Sequence, residues 1–157
     1  MSERWDRFYL GLAKFWSTKS KDPSTKVGAV LVNWDHQQEF CGYNGFAKGV
    51  LDLPERLELR DLKYKYIVHA EVNAITKALR CNMAKGSTLY VYPAFMLPPI
   101  CHDCAKFAVQ AGIKEVVGYN PDYSNARWKR WEESIGISQT MFTEAGITWR
   151  GLDECIN

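Results

Sequence analysis

The sequence has 157 residues, enough for one domain with a single substantial core. A composition of 46% hydrophobic and 24% charged residues excludes a disordered chain, and a formal net charge of +2 is too small to argue for a nucleic-acid partner. No apolar run approaches the ~20 residues of a membrane span, and charges occupy the opening MSERWDRFYL where a signal peptide is apolar, so a cytoplasmic protein with no membrane partner is expected.

Residues 3–17 predict an amphipathic helix. Trp5, Phe8, Tyr9, Leu12, Phe15 and Trp16 recur at helical spacing, with Arg4, Asp6, Arg7 and Lys14 between them, and the aromatic stripe reads as core-facing. A polar, proline-broken loop follows over 19–26 (KSKDPSTK). The continuous β-branched run 27–32 (VGAVLV) suits a strand covered on both faces, and 39–43 returns antiparallel to it. That strand ends in GYNG, where glycines flanking Asn44 permit tight backbone geometry and close approach of a ligand. A long connection over 46–66, with a helical turn after Pro54, has the length of a functional loop.

The connection leads into Ile67-Val68-His69 and a helix whose buried side carries Ala70, Val72, Asn73, Ala74, Ile75, Ala78 and Leu79. Residues 88–92 predict a strand, 93–100 an apolar proline-rich loop, and a helix opens at Cys101 or His102 and stops at Gly112. Residues 113–119 predict another strand, 124–145 a helix broken near Gly136, and 147–150 a last short strand. This order predicts a three-layer α/β/α domain on a five-stranded mixed sheet. The strands near 88, 114 and 147 are parallel and joined by right-handed crossovers.

The cysteines are Cys41, Cys81, Cys101, Cys104 and Cys155, an odd number, which suits thiols or metal ligands in a reducing compartment. Cys41, in a strand, reads as a small buried residue. His69, Cys101 and Cys104 match a catalytic zinc site, which takes three protein donors and leaves the fourth position for water. A Cys-x-x-Cys step at a helix start puts both sulfurs on one side of the first turn, where the helix N-terminus favours thiolates. Glu71 lies in the first turn after His69, placed to move protons beside the metal without binding it. A zinc site lowers the pKa of a water toward roughly 7. Glu71 would take that proton and pass it to a ring nitrogen and then to a leaving amine. His-x-Glu followed by a proline and Cys-x-x-Cys is the pattern of the zinc deaminases. A purely structural zinc clip would need a fourth ligand from His102 or His36, and a redox role for the two cysteines would leave His69 and Glu71 idle.

KDPSTKVGAVLVN, GYNG, KYKYIVHAEVNAI and CHDCAKFAVQAGIKEVV together resemble deoxycytidylate (dCMP) deaminase of the cytidine deaminase superfamily, over about residues 8–150. The resemblance implies one zinc-dependent deaminase domain over 1–157 that hydrolyses dCMP to dUMP and ammonia. It implies zinc on His69, Cys101 and Cys104, Glu71 as proton shuttle, and Asn44 and the Ala70 amide as substrate contacts. It further implies a homo-oligomer, a hexamer, activated by dCTP and inhibited by dTTP. Lys21, Lys26, Gly42 and Gly45 are the expected effector site, since lysines on a glycine-rich surface suit a triphosphate. Lys63, Lys65 and Arg127 are candidates for the substrate phosphate by charge. The chain departs from the family in the 93–100 loop, which is longer and places Ile100 between Pro99 and Cys101, and in Ala47, where proline is common.

Two other functions compete. A tRNA or other nucleic-acid base deaminase of the same superfamily would need a basic, aromatic track, for which Arg127-Trp128-Lys129-Arg130-Trp131 is the candidate. That stretch reads rather as a helix with buried tryptophans and solvated basic groups. A non-catalytic zinc-stabilised assembly module has no use for Glu71.

Overall fold

A computed structural model describes residues 2–154, without the side chains of 126–128, so the expectations placed on Cys155 and on the Arg127 and Trp128 side chains lie outside the described residues. Its five-stranded sheet has the order β2-β1-β5-β6-β7. The hairpin β1 (Gly28–Val32) and β2 (Glu39–Tyr43) is antiparallel, and β1 also pairs antiparallel with β5 (Thr88–Tyr92). From β5 the sheet continues in parallel through β6 (Glu115–Tyr119) and β7 (Thr148–Leu152). The mixed sheet expected from the sequence is therefore present.

Strand periodicity splits the core in two. Ala29, Leu31, Leu89, Val91 and Val116 point to one face, while Val30, Val32, Tyr90 and Val117 point to the other. Helix α1 (Glu3–Ser17) covers the second face, burying Asp6, Tyr9, Leu10, Ala13 and Ser17 at helical spacing. Helices α4 (Ala70–Arg80), α5 (His102–Gln110) and α6 (Glu132–Ala145) cover the first. Two close approaches fix the helices on the hairpin. A Cβ at Gly28 would sit 2.0 Å from the Ala13 carbonyl oxygen, and one at Gly42 would sit 2.2 Å from that of Ala70.

The aromatic stripe of α1 is corrected in part, since Tyr9 is in the core and Leu12 packs against it. Trp5, Phe8 and Phe15 stand outward at 48%, 55% and 67% exposure, because Asp6 takes the inward position, bonded to the Tyr90 hydroxyl and to Arg150. The break expected near Gly136 is also absent. Helix α6 runs through it and is secured on either side by buried Ile135, Ser138 and Phe142; the irregular part is the 3-10 segment Ala126–Trp131 before it.

The 46–66 connection is more ordered than a loop. It holds α2 (Pro54–Glu58) and α3 (Arg60–Tyr66), and its ends form a small antiparallel ladder of β3 (Gly45–Phe46) and β4 (Ile67–Val68). Gly45 pairs with Val68, so Asn44 and His69 arrive at the same end of this ladder. No helix among the described residues is long and apolar enough to cross a membrane.

Candidate active site

The site lies in a crevice at the carboxyl end of β5, where open α/β sheets bind ligands. His69 immediately precedes α4, and Cys101 immediately precedes α5. Both helix N-termini therefore face one point, and the unpaired amides and dipoles there favour anionic sulfur. The His69 Nδ1 atom is 3.4 Å from Cys101 Sγ and 3.2 Å from Cys104 Sγ. A tetrahedral zinc with bonds of about 2.0–2.1 Å to nitrogen and about 2.3 Å to sulfur sets that separation at about 3.5 Å. Among the described residues, His69, Cys101 and Cys104 form the one candidate metal cluster, with donor atoms within 4.8 Å of one another. The donor types, count and spacing fit zinc.

Electrostatics tie the three together. The Cys101 thiol is held down to about 4, first by the Cys104 thiol and then by His69. Its hydrogen bond in turn lifts His69 to about 9. Cys104, 1% exposed, is pushed up by Cys101 and by burial. His102 turns away, its Nδ1 lying 2.7 Å from Ser134 Oγ, and His36 lies in the turn before β2. Neither joins the cluster as a fourth ligand.

Glu71 is 6% exposed and lines the same cleft as His69 and Cys101. Burial raises its carboxyl to about 7, against the opposing pull of His69. A carboxyl near neutrality can both take and give a proton. Ala70 lines the cleft at the first position of α4, where an amide has no intrahelical acceptor. The cleft is lined mostly by apolar groups, with Asn44, His69 and Glu71 among its polar members.

Asn44 also lines the cleft, 5% exposed, and its side chain supports the cleft wall. Its Oδ1 accepts the Val27 amide at 2.8 Å, and its Nδ2 donates to the Thr25 carbonyl at 2.9 Å. Behind it sits a pair that the sequence reading missed. The Lys63 ammonium donates to Asp22 Oδ1 at 2.9 Å and to Ser24 Oγ at 3.1 Å, with the lysine 3% exposed. Asp22 also accepts the Ser24 and Thr25 amides. The Asp-Pro-Ser-Thr string is the available signal, because aspartate bonding backbone two residues on is an Asx turn. Of the phosphate candidates, Lys63 reaches the cleft, whereas Lys65 is exposed on α3 outside it.

The 93–100 loop forms the opposite wall through Pro93, Phe95, Pro99 and Ile100. Helix α6 anchors it. Ser138 Oγ donates to the Ile100 carbonyl at 3.0 Å, Gln139 to that of Leu97 at 2.8 Å, and the His102 amide donates to Ser134 Oγ at 3.1 Å. Phe95 and Trp131 are the aromatic members of this wall; Phe95 is missed from the sequence, and Trp131 reads there only as part of the basic aromatic stretch 127–131.

A second cleft lies behind the hairpin, lined by Lys19, Lys21, Lys48 and Lys77 together with Tyr43, Gly45, Asp22 and Asp52. Lys21 pairs with Asp52 there. Gly42 faces α4, and Lys26 is exposed outside this cleft, so the structure brings together two of the four expected effector residues.

An α/β/α domain that gathers one imidazole and two thiols beside a buried carboxylate has the layout of a zinc-dependent hydrolytic deaminase. The chain belongs to the family of cytidine and deoxycytidylate deaminase zinc-binding regions, which matches residues 3–120. Mouse deoxycytidylate deaminase is 36% identical over 151 residues, covering 93% of this chain and 78% of the relative. The human deoxycytidylate deaminase is 34% identical over the same shares. A deaminase in the luxG 3′ region of Aliivibrio fischeri is 36% identical over 98% of both chains. The fold matches that of the dCMP deaminase of cyanophage S-TIM5, solved in complex with dCMP and dUMP, with a TM-score of 0.71 at 24% identity, covering 97% of this chain and 99% of that one.

Proposed function

We propose that the protein hydrolyses dCMP to dUMP and ammonia, as one zinc-dependent domain over 1–157. The observation that carries this reading is the convergence of His69, Cys101 and Cys104 in the cleft that buries Glu71. The names of the relatives supply the substrate class. Zinc held by His69, Cys101 and Cys104 supplies acidification of a water, from 15.7 toward roughly 7. The residues of the chain do the rest. Glu71 accepts a first proton from water and delivers it to the pyrimidine N3, where it stays in dUMP, then takes a second from the hydroxyl added at C4 and delivers it to the amine, which departs as ammonia as the C4 carbonyl forms. The Ala70 amide donates to the pyrimidine carbonyl, and Asn44 supports the sugar side of the cleft. The buried wall keeps bulk water from the reacting carbon. Ammonia release from dCMP by the zinc-loaded protein tests this reading; none from dCMP, with release from a tRNA anticodon stem-loop, overturns it.

Regulation by dCTP as activator and dTTP as inhibitor is proposed at the second cleft, where four lysines give a triphosphate its counter-charge. Lys21 and Gly45 line that cleft together with Lys19, Lys48 and Lys77. A cytoplasmic homohexamer completes the proposal, supported by the outward aromatic face of α1 with Phe8 and Phe15 exposed. Rates measured with and without each triphosphate, and the mass in solution, test these points.

A further inference from the structure

Trp131 ends the 3-10 segment Ala126–Trp131, packs against the core under α5 and α6, and lines the catalytic cleft. Its ring stacks on Phe95, with centroids 5.8 Å apart and planes 11° from parallel. Its Nε1 atom is buried and has no acceptor among the described residues. The indole N–H can only donate, and a buried tryptophan ordinarily finds a partner for it. Stacking on one face and core contact together fix the ring, so the N–H has little freedom to seek one elsewhere. The other described buried polar side-chain atom without a partner is Asp6 Oδ2, on the opposite face of the sheet. The polar groups on the far wall of the cleft, Asn44, Asp22 and Lys63, are engaged with one another and with backbone. An unmet donor thus belongs to a residue that lines the same cleft as His69 and Glu71.

We propose that Trp131 Nε1–H donates a hydrogen bond to an oxygen of the pyrimidine nucleotide bound in this cleft, which makes Trp131 a specificity-determining residue. The inference rests on the proposed deaminase function and adds the residue that reads the ligand. The acceptor chemistry is an oxygen of the phosphate, or one of the base or sugar. A site built to bond such an atom discriminates against a ligand that lacks it, because the donor is then left buried and unpaired. The pairing with Phe95 ties this residue to the 93–100 loop.

Trp131→Phe removes the N–H and keeps a ring to stack. In zinc-loaded protein, the KM for dCMP and the Kd for the product dUMP should each rise about 2- to 12-fold, the effect of one hydrogen bond. The ligand-free melting temperature should hold or rise, since a buried unpaired donor is gone. A merely structural role would lower the melting temperature and leave the dUMP Kd unchanged, and that result overturns the proposal. Deoxycytidine assayed alongside separates the sources. A penalty on dCMP alone assigns the phosphate, and an equal penalty on both assigns the base or sugar; either supports the inference. Should the variant not fold, the Trp131 indole N–H resonance of the wild type must move downfield on adding dUMP, and an unmoved resonance overturns the inference. Wild-type protein that binds no pyrimidine nucleotide overturns the proposed function as well, whereas wild-type binding with an unaltered variant overturns this inference alone.

Discussion

The Lys63 ammonium lies 2.9 Å from the Asp22 carboxylate, and both side chains are buried, at 4% and 6% exposure. The pair joins α3 to the strap that carries Thr25 and Val27 along the cleft. Two charges out of water persist only when paired and further bonded, and here Asp22 also takes two amides and the Asn44 side chain. Removing one partner leaves the other charge buried and alone.

Lys63→Met is therefore expected to lower stability by about 3–5 kcal/mol. The double variant Asp22→Asn with Lys63→Met should recover part of that loss, because no lone charge remains. Urea unfolding of the two variants measures the difference. Equal losses in both would show that the pair does not act as a unit.

Glu71→Gln preserves size and leaves His69, Cys101 and Cys104 untouched. Zinc content should match the wild type, and kcat should fall by about 10²–10⁴-fold, the range of a positioned proton-transfer group. Metal analysis and turnover on the same sample check this. Normal turnover would remove Glu71 from the proton path.

Cys104→Ala removes a sulfur that is 1% exposed in the core cluster. Metal binding free energy is also folding free energy, so zinc and thermal stability should be lost together. Chelator treatment of the wild type should lower the melting temperature in the same direction. Full zinc content in the variant would mean that Cys104 is not a ligand.

Gly42→Ala tests how the fold sets the site. The added Cβ would meet the Ala70 carbonyl at 2.2 Å, at the start of the helix that carries Glu71. Overpacking of this kind costs about 1–3 kcal/mol. A displaced α4 also misplaces the residues beside the metal, so kcat should fall with stability. Unchanged unfolding and turnover would show that α4 does not rest on the hairpin.

Much of this architecture is legible in the sequence because its signals are local. Within the run 27–32, residues 28–32 are buried on both faces, and β1 is an interior strand of the sheet. The helix starts at Ala70 and His102 place His69 and Cys101 where short-range spacing puts them. What escaped the sequence depends on partners distant along the chain. Lys63 and Asp22 are 41 residues apart, and Phe95 meets Trp131 only because α6 anchors the 93–100 loop. The outward turn of Phe8 and Phe15 follows from Asp6 bonding Tyr90 across 84 residues, which hydrophobic periodicity cannot register. Asn44 reads from the sequence as a substrate contact, and the fold shows it tied to the Val27 amide and the Thr25 carbonyl as well.

The most direct test of the central claim is ammonia release by purified, zinc-loaded protein from dCMP, cytidine, dCTP and a tRNA anticodon stem-loop in parallel. The account predicts release from dCMP well above the other three, cut by about 10²–10⁴-fold in Glu71→Gln. No release from dCMP, in protein that carries stoichiometric zinc on His69, Cys101 and Cys104, would contradict it.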